Sequence, residues 1–314
     1  MATDTTVHAG TRTPAATSAK ARGRSPHAEP DGAVAAALIA PALVGLLVFT
    51  YVPALLSFVA SVFDVPLSDS AWTFTGLDNY RAVLGDAKVR QAAWNTLLYA
   101  AFTIVPSLLL GLGLALLASG AARARGLLSA LLFLPLTANL VAMAVVFRWM
   151  FAFRGGFANQ MLGLVGVGPL NFLGDGATAL PTVAAVGVWR SASFAMVLFL
   201  AGLTAIPTAI HEAAASDGLW GWSKLRLITV PMLQPTIVLA TVVAALQAIQ
   251  VFDTIEVMTG GGPLGQTETL LTVTWRIGFE AFQLGRASAL SFMLLVVLLA
   301  VGWLRRTTLL RSQR

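Results

Sequence analysis

Six apolar runs limit this chain more than any other feature: 33 to about 63, about 93–118, 127–151, 181–206, 232–252 and 287–304. A helix that crosses a bilayer needs about 20 mostly apolar residues, and its backbone polar groups must pair within the segment. The runs therefore predict an all-α, polytopic membrane protein with about six transmembrane helices. Composition agrees, at 57% hydrophobic and 11% charged, where a soluble domain is roughly a quarter charged. Pro41, Pro53, Pro106 and Pro135 fall inside the first three runs. Neighbouring helices can satisfy the carbonyls such prolines free, so bends are expected there.

Residues 1–32 are rich in Ala, Thr, Pro, Ser and Arg and lack an apolar period. They read as a disordered tail. The tail is too long, and the run after it too extended, for a cleaved signal peptide. A membrane domain then covers 33–306, and a short tail covers 307–314. The net charge of +6 does not point to nucleic acid, because its distribution has a topological explanation. Arg12, Lys20, Arg22 and Arg24 precede the first run. Arg123 and Arg125 follow the second, Lys224 and Arg226 follow the fourth, and Arg305, Arg306, Arg311 and Arg314 end the chain. These are 12 of the 20 Lys and Arg residues. Most of the acids, among them Asp64, Asp78, Asp175, Glu256, Glu268 and Glu280, sit in the alternate connections. The positive-inside rule then puts both termini in the cytoplasm of a multi-pass inner-membrane protein.

One cytoplasmic connection, about 207–231, stands out: "PTAIHEAAASDGLWGWSKLRLITVP". Glu212, Ala213, Ala214 and Ala215 favour a helix. Gly218 permits a left-handed turn, and the apolar-aromatic piece containing Trp222 starts a second helix. Pro207 precedes this segment, and Pro231 and Pro235 close it. Pieces this short are unstable alone and must dock on something. Glu212 is expected to pair or cap, and Asp217 to cap the second helix.

The spacing resembles the EAA loop of binding-protein-dependent ABC transporter permeases: Glu-Ala-Ala, three residues, Gly, nine residues, Ile, one residue, Leu-Pro. Glu212, Ala213, Ala214, Gly218, Ile228 and Pro231 fall in register, and Val230 replaces the usual Leu. Asp217 matches the Asp-Gly of the carbohydrate-uptake subgroup. "FTGLDNYRAVL", "VWRSASFAMVLFLAGLTAIP", "MTGGGPLGQTETL" and "GRASALSFML" extend the likeness over roughly 33–306. The resemblance implies a permease that imports a sugar, an oligosaccharide or glycerol phosphate by alternating access. It implies a cytoplasmic coupling helix seated on a separate ATPase subunit, a second permease (a homologue or a copy of this chain), two ATPase subunits and an extracytoplasmic solute-binding protein. ATP and Mg would sit on the ATPase, with no cofactor on this chain. The chain has no GxxxxGK[ST] phosphate loop, which is consistent with that division. A permease for amino acids or phosphate is the first alternative, and a membrane channel or enzyme the second.

Polar residues inside the runs are costly, which makes them candidates for a solute pathway. An Arg at a helix centre costs about 2.5–3.5 kcal/mol on insertion scales, so Arg190 must face protein or water, or snorkel. Gln247 and Gln250 are three apart on one helix face, with Asp253 continuing the stripe. Asn139 is a fourth candidate region, and Trp189 and Phe252 are aromatic companions. Gly187, Ser191 and Ala195 recur every four residues, a spacing for close helix packing. Arg148 reads as an interface anchor, and the "TGGGPLGQTET" turn as a contact for the solute-binding protein. His8, His27 and His211 are scattered without metal-ligand spacing, and the absence of Cys excludes thiolate chemistry. His211 reads as a surface residue. No catalytic or metal site is expected.

Overall fold

The computed structural model describes residues 32–66, 71–120 and 125–312. The tail cations Arg12, Lys20, Arg22 and Arg24, with His8, His27 and Arg123, lie outside the described residues. Residues up to Pro53 and from Ala54 onward form two units. The first is helical: α1 (Gly32–Leu46) passes through Pro41 and continues into a π-helical turn, Leu47–Tyr51. α2 (Val52–Ala60) carries the helix on to the first connection.

The second unit opens on a two-stranded hairpin, β1 (Phe63–Asp64) and β2 (Thr73–Phe74), with Phe63 opposite Phe74. The buried Asn79, on α3 (Asp78–Gly85), ties this turn down. Its amide donates to the Ser61 carbonyl at 3.0 Å and the Phe63 carbonyl at 2.9 Å. Next come α4 (Ala87–Gly120), α5 (Arg125–Thr137), α6 (Leu140–Met150), α7 (Phe157–Leu164) and α8 (Gly176–Thr204). The chain ends with α9 (Thr208–Ser216), α10 (Gly221–Lys224), α11 (Val230–Met232), α12 (Gln234–Ile249), α13 (Asp253–Met258), α14 (Leu270–Trp275) and α15 (Leu284–Ser312).

α8 is the central helix. Half of its apolar window is buried, against about a fifth for α4. Its pairing with α4 uses small residues, as helix association in lipid must where no hydrophobic gain is available. A methyl at Gly111 would lie 2.6 Å from the Ala195 Cβ, and one at Gly187 would meet the Tyr99 hydroxyl. Three apolar clusters fill the bundle, one of them Val83, Val89, Ala92, Val273 and Leu290; the other two lie along α8. One gathers Tyr99, Met143, Val183, Val186, Val251 and Ile255, and the other Ala115, Ala195, Met196, Phe199 and Ala240.

Three expected spans differ in detail. The run 127–151 is two helices, not one. Pro135 sits in the last turn of α5, and Asn139 starts α6 by accepting hydrogen bonds from the Val141 and Ala142 amides at 3.0 and 3.1 Å. That local cap outcompetes a continuous helix. The run 232–252 begins at Gln234 and stops at Ile249, and it meets the preceding helical segment at a 71° bend. Pro231 does not end that segment, which runs on to Met232. The run 287–304 lies within a longer helix, α15, which continues to Ser312, so residues 307–312 are helical. Among the described residues, Ala36–Ala60, α4 and α8 are each long and apolar enough to cross alone. The bent pair makes a fourth candidate, and Leu140–Met150 and Leu284–Ala300 are shorter apolar helices.

Candidate functional site

Five helices and the break between α12 and α13 line an open cavity of about 310 Å³. Tyr99 and Thr103 reach it from α4, and Leu140 and Met143 from α6. Gly187, Arg190 and Ser191 reach it from α8, Gln247 from α12, and residues 250–254 complete the wall. The spacings explain the convergence. Tyr99 and Thr103 are four apart, and Gly187, Arg190 and Ser191 occupy i, i+3 and i+4, so each set shares a helix face. Gly187 is glycine because the Tyr99 hydroxyl fills the space a side chain would need.

The wall is polar and incompletely paired. Thr103 Oγ1 and Arg190 Nε are buried and have no hydrogen-bond partner in the chain among the described residues. Buried polar groups in native proteins are almost always satisfied, and these two exceptions both belong to residues that line this cavity. A guanidinium, two carboxamides and a carboxylate together supply both donors and acceptors. Such a wall can hydrogen-bond a molecule that bears hydroxyl groups.

The expected pathway residues divide. Arg190, Gln247, Gln250 and Asp253 all line the cavity, as does Phe252. The last three residues of the stripe do not share one helix, however. α12 ends at Ile249, Gln250 is its C-cap, Phe252 has φ −137° and ψ −65°, and Asp253 begins α13. Asn139 is not in the lining. It is exposed, and its side-chain oxygen is used in capping α6. Trp189 is also outside, set edge-on to Phe147 with ring centroids 5.4 Å apart. Sequence reading missed Tyr99 and Thr103, whose types are unremarkable in a spanning helix. The spacing of Gly187 and Ser191 points to packing; both line the cavity, and Gly187 also packs closely against Tyr99.

The connection after α8 has the helix–break–helix form expected of it. Pro207 caps α9. Gly218 has φ +74°, and its amide bonds to the Ala215 carbonyl while the Leu219 amide bonds to the Ala214 carbonyl at 2.8 Å. This double bond pattern is a Schellman ending, which calls for glycine at that position. Ala214 is buried, whereas Glu212, Ala213, Asp217, Gly218, Trp222 and Pro231 are exposed and Ile228 is half-buried. α10 runs through a π-helical turn, Leu225–Thr229, into α11. Trp220 and Trp222 are 67% and 73% exposed, so this segment presents an aromatic surface outward. Three expectations differ from the structure here. Asp217 is the C-cap of α9, and the residue before α10 is Trp220 without a side-chain cap. Glu212 forms no ion pair among the described residues; its carbonyl accepts from Ser216 Oγ at 3.1 Å. His211 is half-buried rather than a surface group, with Nδ1 buried and without a partner among the described residues.

The glycine-rich turn at 259–269 is held from several sides. Arg276 reaches the Glu268 carboxylate, the Gly260 carbonyl and, at 3.4 Å, Glu256. The Asn95 amide donates to the Gly265 and Glu268 carbonyls, both at 2.9 Å, and Thr96 accepts from the Leu270 amide. Leu264 at the tip is 97% exposed. Arg148 donates to the Val257 carbonyl at 3.2 Å, so it also braces this region. Among the described residues, no group of three or more His, Asp or Glu is placed to hold a metal ion.

Comparison with known proteins gives this architecture a family. Residues 88–308 match the model of the binding-protein-dependent transport system inner membrane component. The trehalose/maltose transport system permease protein of Thermococcus litoralis is 30% identical over 263 residues, covering 84% of this chain and 89% of that protein. Two permeases of Agrobacterium fabrum, for sulfoquinovosyl glycerol and for sn-glycerol-3-phosphate, are also 30% identical, over 272 and 265 residues. They cover 86% and 84% of this chain, and 88% and 90% of those proteins. A bacterial ABC transporter involved in the import of the acidic polysaccharide alginate shares the fold. Its chain superposes with a TM-score of 0.76 at 22% identity, covering 87% of this chain and 95% of that one. A match over most of the length, together with relatives at this identity, places the chain: it belongs to the binding-protein-dependent transport system inner membrane components, the permease subunits of ABC transporters.

Proposed function

We propose that the chain is the permease subunit of an ATP-driven importer for a sugar or oligosaccharide. The cavity around Arg190 is the solute site, and the α9–α10 segment is the coupling element. The carrying observation is the convergence of Thr103, Arg190, Gln247, Gln250 and Asp253 on one cavity, from separate elements of an otherwise apolar bundle. Relatives that carry trehalose or maltose, lactose and sulfoquinovosyl glycerol support a carbohydrate. In this reading the chain crosses the membrane six times with both termini in the cytoplasm. It pairs with a second permease and rests on two ATPase subunits that bind ATP and Mg. An extracytoplasmic protein delivers solute. The exposed Trp222 and the EAA helix enter the ATPase, and Gly218 sets the angle between the two docked pieces. Closure of the ATPase pair moves this elbow and biases a two-state bundle toward one access state. The chain performs no chemistry on its cargo.

The test is to purify the chain with its partners and measure solute-stimulated ATP hydrolysis over a panel of sugars, glycerol phosphate, amino acids and phosphate. Stimulation by a carbohydrate alone is the expected result. Stimulation by glycerol phosphate instead would select the second reading, which the unpaired Arg190 and the glycerol-phosphate relative favour. Stimulation by none of the panel would remove both.

A further inference from the structure

The break after α12 is tied to a residue well along the chain. Residues 250–252 leave the helix, and α13 starts at Asp253. A helix end leaves carbonyls without partners inside the helix. Among the described residues, no backbone amide donates to the Val251 carbonyl. Its donor is Thr269 Oγ1, 18 residues on, at 3.0 Å. The bond is buried, with Thr269 at 0% and Val251 at 9% exposure. Thr269 is fixed in turn, because its amide donates to Thr272 Oγ1 at 2.8 Å.

The break has little packing to hold it. Gln250, Phe252 and Asp253 line the first cavity and also a second one of about 550 Å³, whose other walls include Ser57, Trp275 and Phe279. With open space on two sides, these residues lack the close packing that fixes groups in a solid core. Among the described residues, the bond from Thr269 is the one hydrogen bond that reaches 250–253 from outside α12 and α13. Removing that donor would strand a buried carbonyl, which is costly.

The same outer segment also holds the opposite wall. The Leu270 amide donates to Thr96 Oγ1 at 2.9 Å, and the Asn95 amide donates to the Gly265 and Glu268 carbonyls. Asn95, Tyr99 and Thr103 recur every four residues and so share a face of α4, and the last two line the first cavity. Residues 265–270 therefore grip both the break and α4.

We infer that Thr269 is a positioning residue for the cavity. Its bond to the Val251 carbonyl sets the backbone that carries Gln250 and Asp253, and it joins that wall to α4 through the outer turn. Thr269 itself is not among the lining residues. This role rests on the solute site proposed above, and it holds for any solute that occupies that site.

The experiment uses the full transport complex. Thr269→Val keeps the branched shape and loses the donor, whereas Thr269→Ser keeps the donor. Thr267→Val is the comparison: Thr267 is as buried as Thr269, but its hydroxyl bonds to Thr259 and to the Gly262 carbonyl, within the turn. In the nucleotide-free complex, amides at 250–256 should exchange roughly five- to tenfold faster in Thr269→Val, the factor that loss of one hydrogen bond corresponds to. Thr269→Ser and Thr267→Val should exchange there at the wild-type rate. In ATP hydrolysis, the solute concentration for half-maximal stimulation should rise by a similar factor in Thr269→Val, with the maximal rate nearly unchanged, and return in Thr269→Ser. A merely structural role would instead affect Thr267→Val equally and quicken exchange in α8 as well. Unchanged exchange at 250–256 in Thr269→Val overturns the tie, whatever the solute is. Faster exchange with an unchanged half-maximal concentration overturns the positioning role and leaves the solute site standing. Stimulation by no solute of the panel removes the proposed solute site and the positioning role with it, and the exchange rates then still decide the tie.

Discussion

A single methyl group separates Gly187 from any other residue. The Tyr99 hydroxyl occupies the position its Cβ would take, so Gly187→Ala should lower thermal stability by about 1–3 kcal/mol through overpacking. Tyr99→Phe, which removes the offending oxygen, should recover much of it; a cycle of the two variants in a melting assay checks the pairing. Arg190 tests the solute site. Arg190→Gln keeps length and some donors but loses the charge, and hydrogen bonds to charged groups contribute about 1.5–3 kcal/mol. Solute-stimulated ATP hydrolysis should fall by roughly one to two orders of magnitude at limiting solute, with insertion unchanged. A normal solute dependence in this variant would take Arg190 out of the site. Arg190 was legible in the sequence because a cation inside an apolar run demands an explanation. Tyr99 and Thr103 were not, since hydroxyl residues in spans are ordinary and only the packing of α4 against α8 aims them inward.

At the scale of elements, the proposed coupling role rests on how α9 ends. The α9 ending needs φ +74° at Gly218 and uses that residue's amide in a bond to Ala215. Gly218→Pro contradicts both, because proline fixes φ near −65° and has no N–H. The variant should insert normally yet lose solute-stimulated ATP hydrolysis; full stimulation would free this loop from the role proposed for it. The helix, break and second helix were readable from Ala-rich sequence, glycine and proline. Their caps were not, because side chains compete for backbone groups in ways that spacing does not settle. Asp217 finished one helix instead of starting the next. Asn139 supplies the opposite lesson, a polar residue in an apolar run that broke a helix and left the cavity wall. On the turn at 259–269, Arg276→Gln removes the cation shared by Glu268, Glu256 and Gly260. Amide hydrogen exchange at 260–268 should quicken by about tenfold or more as the local opening energy falls, while amides in the middle of α8 keep their protection.

At the scale of the whole molecule, the proposed topology is directly testable because the chain contains no cysteine. Single cysteines at Trp222 and Leu264, both exposed, should react with membrane-impermeant reagents from opposite sides: Trp222 from the cytoplasm and Leu264 from outside. Reaction of both from one side would reverse the reading of the charge distribution. What the sequence by itself determined was the class of molecule, through the length of its apolar runs, the asymmetry of its cations and the register of Glu212, Ala213, Ala214, Gly218, Ile228 and Pro231. These are properties of short stretches, set by the thickness of the bilayer and by local backbone preference. What only the tertiary structure decided was which polar groups meet. Arg190, Thr103, Gln247 and Asp253 come from separate elements, and helix packing fixes their convergence at distances that no pattern within a single element encodes. The break at 250–252 is likewise a matter of tertiary context. It places Gln250, Phe252 and the first residue of α13, Asp253, against two cavities at once, and the Val251 carbonyl within it accepts from Thr269 Oγ1, 18 residues on, at 3.0 Å.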